Sequence, residues 1–210
     1  MIKILITDDH YLIREGFKKA IEKESDMEVV GEAANASETL KLLNNKPCNV
    51  LVLDISMPGK SGLDLIKDIE ELYPEIKILI MSIHTEERYG MRVLKTSASG
   101  YITKDSSSDE LIEAIRTIHN GKRYTSKYMS NKIISSLGKD DQGELHEVLS
   151  DREFEILIKI GKGNSMTDIA EALSLSVSTV NTYRTRILKK LSKNTNAELI
   201  HYVIKNNLID

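Results

Sequence analysis

Apolar residues run together in short unbroken stretches through the first part of the chain, then give way to helical spacing. Ile2–Thr7, Met27–Glu32, Val50–Asp54, Lys77–Ser82 and Gly100–Lys104 read as strands. Their runs are continuous rather than alternating, the pattern of strands buried on both faces of a parallel sheet. Between and after them the period lengthens, predicting helices near Leu12–Lys23, Ser37–Leu43, Gly62–Leu72, Glu86–Thr96 and Ser108–Asn120. Ser37 and Ser108 stand where N-caps are expected, and Asn120-Gly121 closes the last helix. Five rounds of alternating strand and helix predict an α/β doubly wound parallel five-stranded domain over residues 1–122.

After Lys122 the strand signals stop. Ser126–Leu137 could form a helix, and the polar stretch 138–144 has two glycines and nothing to bury, so residues 123–148 read as a linker. From 149 to 210 only helical patterns remain, at Asp151–Ile160, Thr167–Leu173, Val177–Leu191 and Asn196–Asn206. A short helix, a tight turn at Leu173-Ser-Leu-Ser and a longer basic helix predict an all-α helix-turn-helix domain.

Charge divides along the same line. Residues 1–122 carry 16 Lys and Arg against 21 Asp and Glu, whereas residues 123–210 carry 13 against 11. The asymmetry favours a polyanion partner for the second part. No apolar stretch approaches a membrane span, and Met1–Ile6 lacks the features of a signal peptide. Cys48, the single cysteine, cannot form an internal disulfide, which points to a reducing cytoplasm.

The chemistry lies where the strands end. Asp8 and Asp9 close the first, Asp54 the third, Ser82 the fourth and Lys104 the fifth. In parallel sheets ligands bind outside the carboxyl ends of the strands, so these groups should converge on one rim. Clustered carboxylates repel unless a cation neutralises them, and oxygen ligands suit Mg²⁺. One carboxylate can then attack a phosphorus, with Lys104 and Ser82 serving phosphoryl oxygens. Asp54-Ile-Ser-Met-Pro58-Gly59 places a proline and a glycine just past the carboxylate, a rigid turn whose backbone can serve phosphate and metal.

In the second part, Val177–Lys193 contains Arg184, Arg186, Lys189, Lys190 and Lys193 and no acid. A helical wheel puts Val180, Ile187 and Leu191 on one face, with Leu188 at its edge. Ser178, Thr182, Thr185, Arg186, Lys189 and Lys193 lie roughly opposite, and Asn181 joins them as a candidate DNA contact. Short polar residues early and long cations later suit a helix in the major groove of double-stranded DNA. Arg184 falls near the apolar side and is expected to pair with an acid or snorkel to the backbone.

These residues carry a resemblance. Asp8-Asp9, Asp54 with Pro58-Gly59, Ser82 and Tyr101-Ile-Thr-Lys104 match the receiver domain of bacterial two-component response regulators. Leu149-Ser-Asp-Arg-Glu153 and Asp168-Ile-Ala-Glu-Ala-Leu173 with Ser178–Tyr183 resemble the LuxR-type helix-turn-helix, placing the chain in the NarL/FixJ group. The resemblance implies a phosphorylation-controlled DNA-binding transcriptional regulator rather than an enzyme. Asp54 would be phosphoacceptor, and Asp8, Asp9, Asp54 and the Ser56 carbonyl would hold Mg²⁺. Lys104 would be the phosphoryl partner, with Ser82 and Tyr101 as the coupled switch. Ser56 and His84 would tune dephosphorylation, and the bulky Ile83 beside Ser82 is expected to lengthen the phosphorylated lifetime. The implied partners are a sensor histidine kinase, DNA, a second copy of the chain on activation, and RNA polymerase as a further candidate. In the family the last helix, here Asn196–Asn206, commonly carries the DNA-bound dimer contact. A haloacid-dehalogenase-type phosphatase would need an acid where Ser56 stands. A regulator controlled by protein contacts or a ligand, without phosphorylation, is the remaining alternative.

Overall fold

The computed structural model describes residues 1–57, 59–60, 62–83, 92–93, 96–126, 130–131 and 145–209. Two compact units divide the chain, Met1–Lys139 and Asp140–Asp210. Most of the expected helix at 86–96 and of the segment 126–137, the polar stretch 138–144, Pro58 and His84 lie outside the described residues.

The first unit contains β1 (Ile2–Thr7), α1 (Tyr11–Ile21), β2 (Met27–Ala33), α2 (Ala36–Asn45), β3 (Val50–Asp54), α3 (Gly62–Leu72), β4 (Lys77–Ser82), β5 (Gly100–Thr103) and α4 (Ser108–His119). The strands form one parallel sheet in the order β2-β1-β3-β4-β5. From β1 the chain steps outward to β2 and then crosses to β3 on the other side. That reversal opens a crevice beyond the carboxyl ends of β1 and β3. Ile4, Ile6, Val50, Val52, Leu79, Met81 and Ile102 pack on one face against Leu111, Ile115 and Ile118 of α4, with Ile13 and Phe17 of α1 alongside. With side chains alternating between faces, Leu5, Leu51 and Leu53 point the other way and are fully buried, as are Leu63, Ile66 and Ile69 of α3. Each such side chain contributes about 1.5–3 kcal/mol by leaving water.

Two helix starts differ from expectation. Asn35, not Ser37, caps α2 by accepting from the Glu38 amide, and Ser107, not Ser108, caps α4 by accepting from the Glu110 amide. Both segments offer more than one short polar residue, Asn35 and Ser37 in the first and Ser106 to Ser108 in the second. The capping residue is the one with extended backbone just before the first turn, which composition does not reveal. Asn120 and Gly121 do close α4, with Gly121 at φ 78°.

The second unit begins with a 3₁₀ turn at Leu145–Val148. It continues through α5 (Asp151–Gly161), α6 (Met166–Ala172), α7 (Val177–Lys190) and α8 (Asn196–Lys205). Ser150, Ser165, Ser176 and Thr195 cap the four helices, the first two through reciprocal capping boxes with Glu153 and Asp168. Phe154, Leu157, Ile169, Val180, Ile187, Leu199 and Val203 form its interior. The turn between α6 and α7 is set by Ser174, in the left-handed region at φ 52°. The Ser174 amide donates to the Glu171 carbonyl and the Leu175 amide to that of Ala170, the paired bonds of a Schellman cap. Arg152 of α5 braces the same turn, its guanidinium donating to the Leu173 carbonyl.

Candidate functional site

The strand ends bring their polar residues to one rim. Asp8 follows β1 and is fully buried; Asp54 ends β3 and is 1 % exposed. Lys104 follows β5, and its Nζ lies 2.6 Å from Asp8 Oδ2 and 2.8 Å from Asp54 Oδ2. The amine thus bridges two carboxylates from different strands. Asp54 pairs in register with Met81, which sets Ser82 one residue farther along β4, buried at the same rim. The Ser82 carbonyl accepts from the Lys104 amide at 2.8 Å, tying β4 to the residue that carries the ammonium. Ser56, half-buried, donates its amide to Asp54 Oδ1 at 3.1 Å, fixing the carboxylate's second oxygen.

Burial pushes the Asp54 carboxyl above its ordinary range, partly countered by Lys104 and the Ser56 amide. Burial works against charge on Lys104 too, but Asp54 and Asp8 together outweigh it and hold the ammonium's pKa above its usual value. The pocket therefore pairs a basic carboxylate with a cation that stays charged.

Asp9 is half-buried beside Asp8. Asp8, Asp9, His10 and Asp54 each present a ligand atom within 4.8 Å of the others. Among the described residues, Asp9 Oδ1 is buried and meets no donor in hydrogen-bonding geometry, although His10 Nδ1 stands near it, and Asp8 Oδ2 faces the Lys104 ammonium alone. Carboxylate oxygens left over in this way, clustered and mostly buried, fit a hard divalent cation.

His10 was not singled out from the sequence. Its Nδ1 lies 3.1 Å from Asp8 Oδ1 and 2.8 Å from Asp9 Oδ1, and its amide donates to Asp8 Oδ1 at 2.8 Å. The available signal was adjacency to the aspartate pair. Tyr101, on β5, is buried.

The geometry of the loop after Asp54 depends on one glycine. An ideal Cβ at Gly62 would sit 2.2 Å from the Asp54 carbonyl oxygen and 2.8 Å from Ile55 Cα. Only a residue without a Cβ lets α3 begin so close to the phosphoacceptor candidate, with its amide donating to the Ile55 carbonyl.

On α7 the expected faces appear. Val180, Ile187 and Leu191 are buried, while Ser178, Asn181, Thr182, Thr185, Arg186 and Lys189 are all exposed. Arg184 is tied to Asn196 at the start of α8 through its Nε, so its local partner is an amide rather than an acid. Lys190 turns away from the exposed face, its Nζ 2.6 Å from the buried Glu153 and 3.3 Å from the Val148 carbonyl. The Lys193 ammonium stands over the Tyr202 ring, 5.9 Å from its centroid. On α8, Leu199 and Val203 belong to the core, Ile200 is half-buried and Ile204 is 57 % exposed.

Residues 4–116 match the response regulator receiver domain, and residues 147–203 match the luxR family of bacterial regulatory proteins. The chain is a response regulator. It is 39 % identical to the oxygen regulatory protein NreC of Staphylococcus epidermidis over the whole of both chains, and equally so to that of Staphylococcus carnosus. The RcsB response regulator of Salmonella typhimurium shares the fold, with a TM-score of 0.71, 24 % identity and 98 % of each chain covered. An RcsB–DNA complex aligns with a TM-score of 0.61 at 25 % identity, covering 100 % of this chain and 99 % of that one. The response regulator is thus a phospho-dependent transcription regulator, with a receiver followed by a LuxR-type DNA-binding domain. No helix among the described residues is long and apolar enough to cross a membrane.

Proposed function

We propose that Asp54 accepts a phosphoryl group from the phosphohistidine of a sensor histidine kinase, and that this drives dimerisation and promoter binding. The observation that carries the reading is the Lys104 ammonium held between Asp8 and Asp54 at the mouth of the crevice. A carboxylate oxygen of Asp54 attacks phosphorus, an O–P bond forms, and the N–P bond breaks with its electron pair returning to the imidazole. The Ser56 amide on Oδ1 orients the carboxylate, leaving Oδ2 toward Lys104. Asp8, Asp9, Asp54 and the Ser56 carbonyl would hold Mg²⁺, which when bound neutralises charge developing on the transferred group. Lys104 then passes from Asp54 to a phosphoryl oxygen, and Ser82 supplies a hydroxyl to another. Tyr101, paired with Ile80 two residues before Ser82 on the neighbouring strand, is the aromatic that senses the change.

In the second domain, Ser178, Asn181, Thr182, Thr185, Arg186 and Lys189 form the surface offered to the major groove. A single small module makes few phosphate contacts and binds weakly, so two linked copies on paired half-sites are needed for firm binding. The exposed Ile204 on α8 supports that helix as a contact between DNA-bound copies. The unpaired Cys48 accords with action in the cytoplasm.

The test is enrichment from a genomic DNA pool with and without acetyl phosphate and Mg²⁺, repeated on Asp54→Ala. Phosphate-dependent recovery of a two-fold motif, lost in the variant, is the expected result. Recovery indifferent to phosphate and to Asp54 would leave a regulator controlled by contacts or a ligand.

A further inference from the structure

We infer that α7 reads A·T pairs rather than guanine, with Asn181 bound to the major-groove edge of one adenine. This rests on α7 being the DNA-facing helix and adds which base it selects. Guanine presents two acceptors in the major groove, N7 and O6, and is read by the donors of Arg or Lys. Adenine presents an amino donor beside the N7 acceptor, and its thymine partner a methyl group.

The exposed face of α7 places no cationic donor where bases are met. Its first two turns, Val177–Tyr183, contain no cation. The first cation, Arg184, is committed to Asn196, and Lys190 to Glu153 and the Val148 carbonyl. Arg186 lies over the Tyr183 ring, 5.8 Å from its centroid, in the C-terminal half of the helix. The hydroxyl hydrogens of its two exposed threonines are committed as well, and Ser178 brings a single hydroxyl hydrogen where guanine presents two acceptors. Thr182 donates to the Ser178 carbonyl and Thr185 to the Asn181 carbonyl, each at 3.0 Å. What these threonines still offer is a methyl group and oxygen lone pairs, which suit a thymine methyl and an adenine amino group.

Asn181 supplies the remaining specificity. Its Nδ2 donates to the Val177 carbonyl at 3.1 Å, one turn back, which fixes the amide's rotamer and its orientation. An amide nitrogen has two hydrogens, so one stays available beside Oδ1. That pair, a donor next to an acceptor, is the complement of adenine N7 and N6. Because the side chain is already held, little freedom is lost when it meets the base.

The experiment uses the full chain treated with acetyl phosphate and Mg²⁺, selecting from a duplex library randomised over the site. The expected result is one adenine per half-site recovered as dominant by the native chain and lost by Asn181→Ala, whose site is exposed. Replacing that adenine by 7-deazaadenine, which removes N7, should weaken native binding by about tenfold and leave Asn181→Ala unaffected. A dominant guanine at the selected position, or the same 7-deazaadenine penalty in both proteins, overturns the assignment. Capture of no duplex at all by the native chain would instead overturn the reading of α7 as a DNA-facing helix, and the base assignment with it.

Discussion

Gly62 couples the start of a helix to the chemistry of Asp54, and replacing it by alanine tests that coupling. The added methyl would lie 2.2 Å from the Asp54 carbonyl oxygen, 2.8 Å from Ile55 Cα and 3.0 Å from the Asp54 carbonyl carbon. Comfortable contacts begin about 3.5 Å apart, so more than 1 Å of overlap must be relieved. All three obstructing atoms are backbone, and no rotamer change removes them. Either α3 withdraws or the Asp54–Ser56 segment does. Overpacking of this kind costs about 1–3 kcal/mol, against which alanine's better helix propensity returns at most about 1 kcal/mol. Function should suffer more than stability. A displacement of about 1 Å at a reacting group can cost about 100-fold in rate. Urea denaturation followed by circular dichroism measures the first effect, and the rate of phosphorylation by acetyl phosphate the second. Gly16 is the control: it is exposed in α1, with nothing within 4 Å of its added Cβ. Gly16→Ala should therefore stabilise by about 0.5–1 kcal/mol and leave phosphorylation unchanged. A Gly62→Ala protein with native midpoint and native phosphorylation rate would refute the reasoning.

Three further outcomes are expected. Burial opposes the charge on Glu153, but Lys190 and the Ser150 amide overcome it, so its pKa falls below the ordinary carboxylate value. A depressed carboxylate stabilises above its unfolded pKa, near 4.5, and loses that contribution as pH drops through the folded value. Acid titration of thermal stability should show Glu153→Gln flatter than the native protein below about pH 5. Ser174 and Ser192 sit at φ 52° and 53° after α6 and α7. Changing either to glycine relieves a left-handed conformation, and a gain of about 1 kcal/mol in urea is expected, whereas an equal or lower midpoint would count against it. Ile83 is 67 % exposed immediately after the buried Ser82. If it shields the acyl phosphate from water, Ile83→Ala should shorten the phosphorylated lifetime several-fold as followed by phosphate release, and an unchanged decay would remove it from that role.

The sheet was legible because its physics is local. Strands buried on both faces must be continuously apolar, so Ile2–Thr7, Val50–Asp54 and Lys77–Ser82 announce their own limits. The site followed from the same rule, since polar groups that interrupt such runs are confined to one rim. Partners chosen across the fold were not legible. Lys190 belongs to a basic run in sequence, yet its charge goes to Glu153, 37 residues earlier, and to the carbonyl of Val148. Arg184 was placed near the apolar side by helical geometry, but nothing local named Asn196. His10 escaped notice because one histidine before a helix has the look of an ordinary surface residue. Only the folded chain shows its ring beside both aspartates.

The bridging position of Lys104 has a consequence for how the receiver can signal. Three carboxylates and one ammonium leave the crevice with a formal charge of about −2, which a divalent cation would bring to zero. On the proposed mechanism, converting Asp54 from a monoanion to an acyl phosphate of charge between about −1.5 and −2 then changes the total by one unit at most. The change is thus shared between charge and geometry, since the ammonium and the Ser82 hydroxyl would have to move to meet the new oxygens. The geometric part of the message would leave this pocket by contact, through β4 and β5.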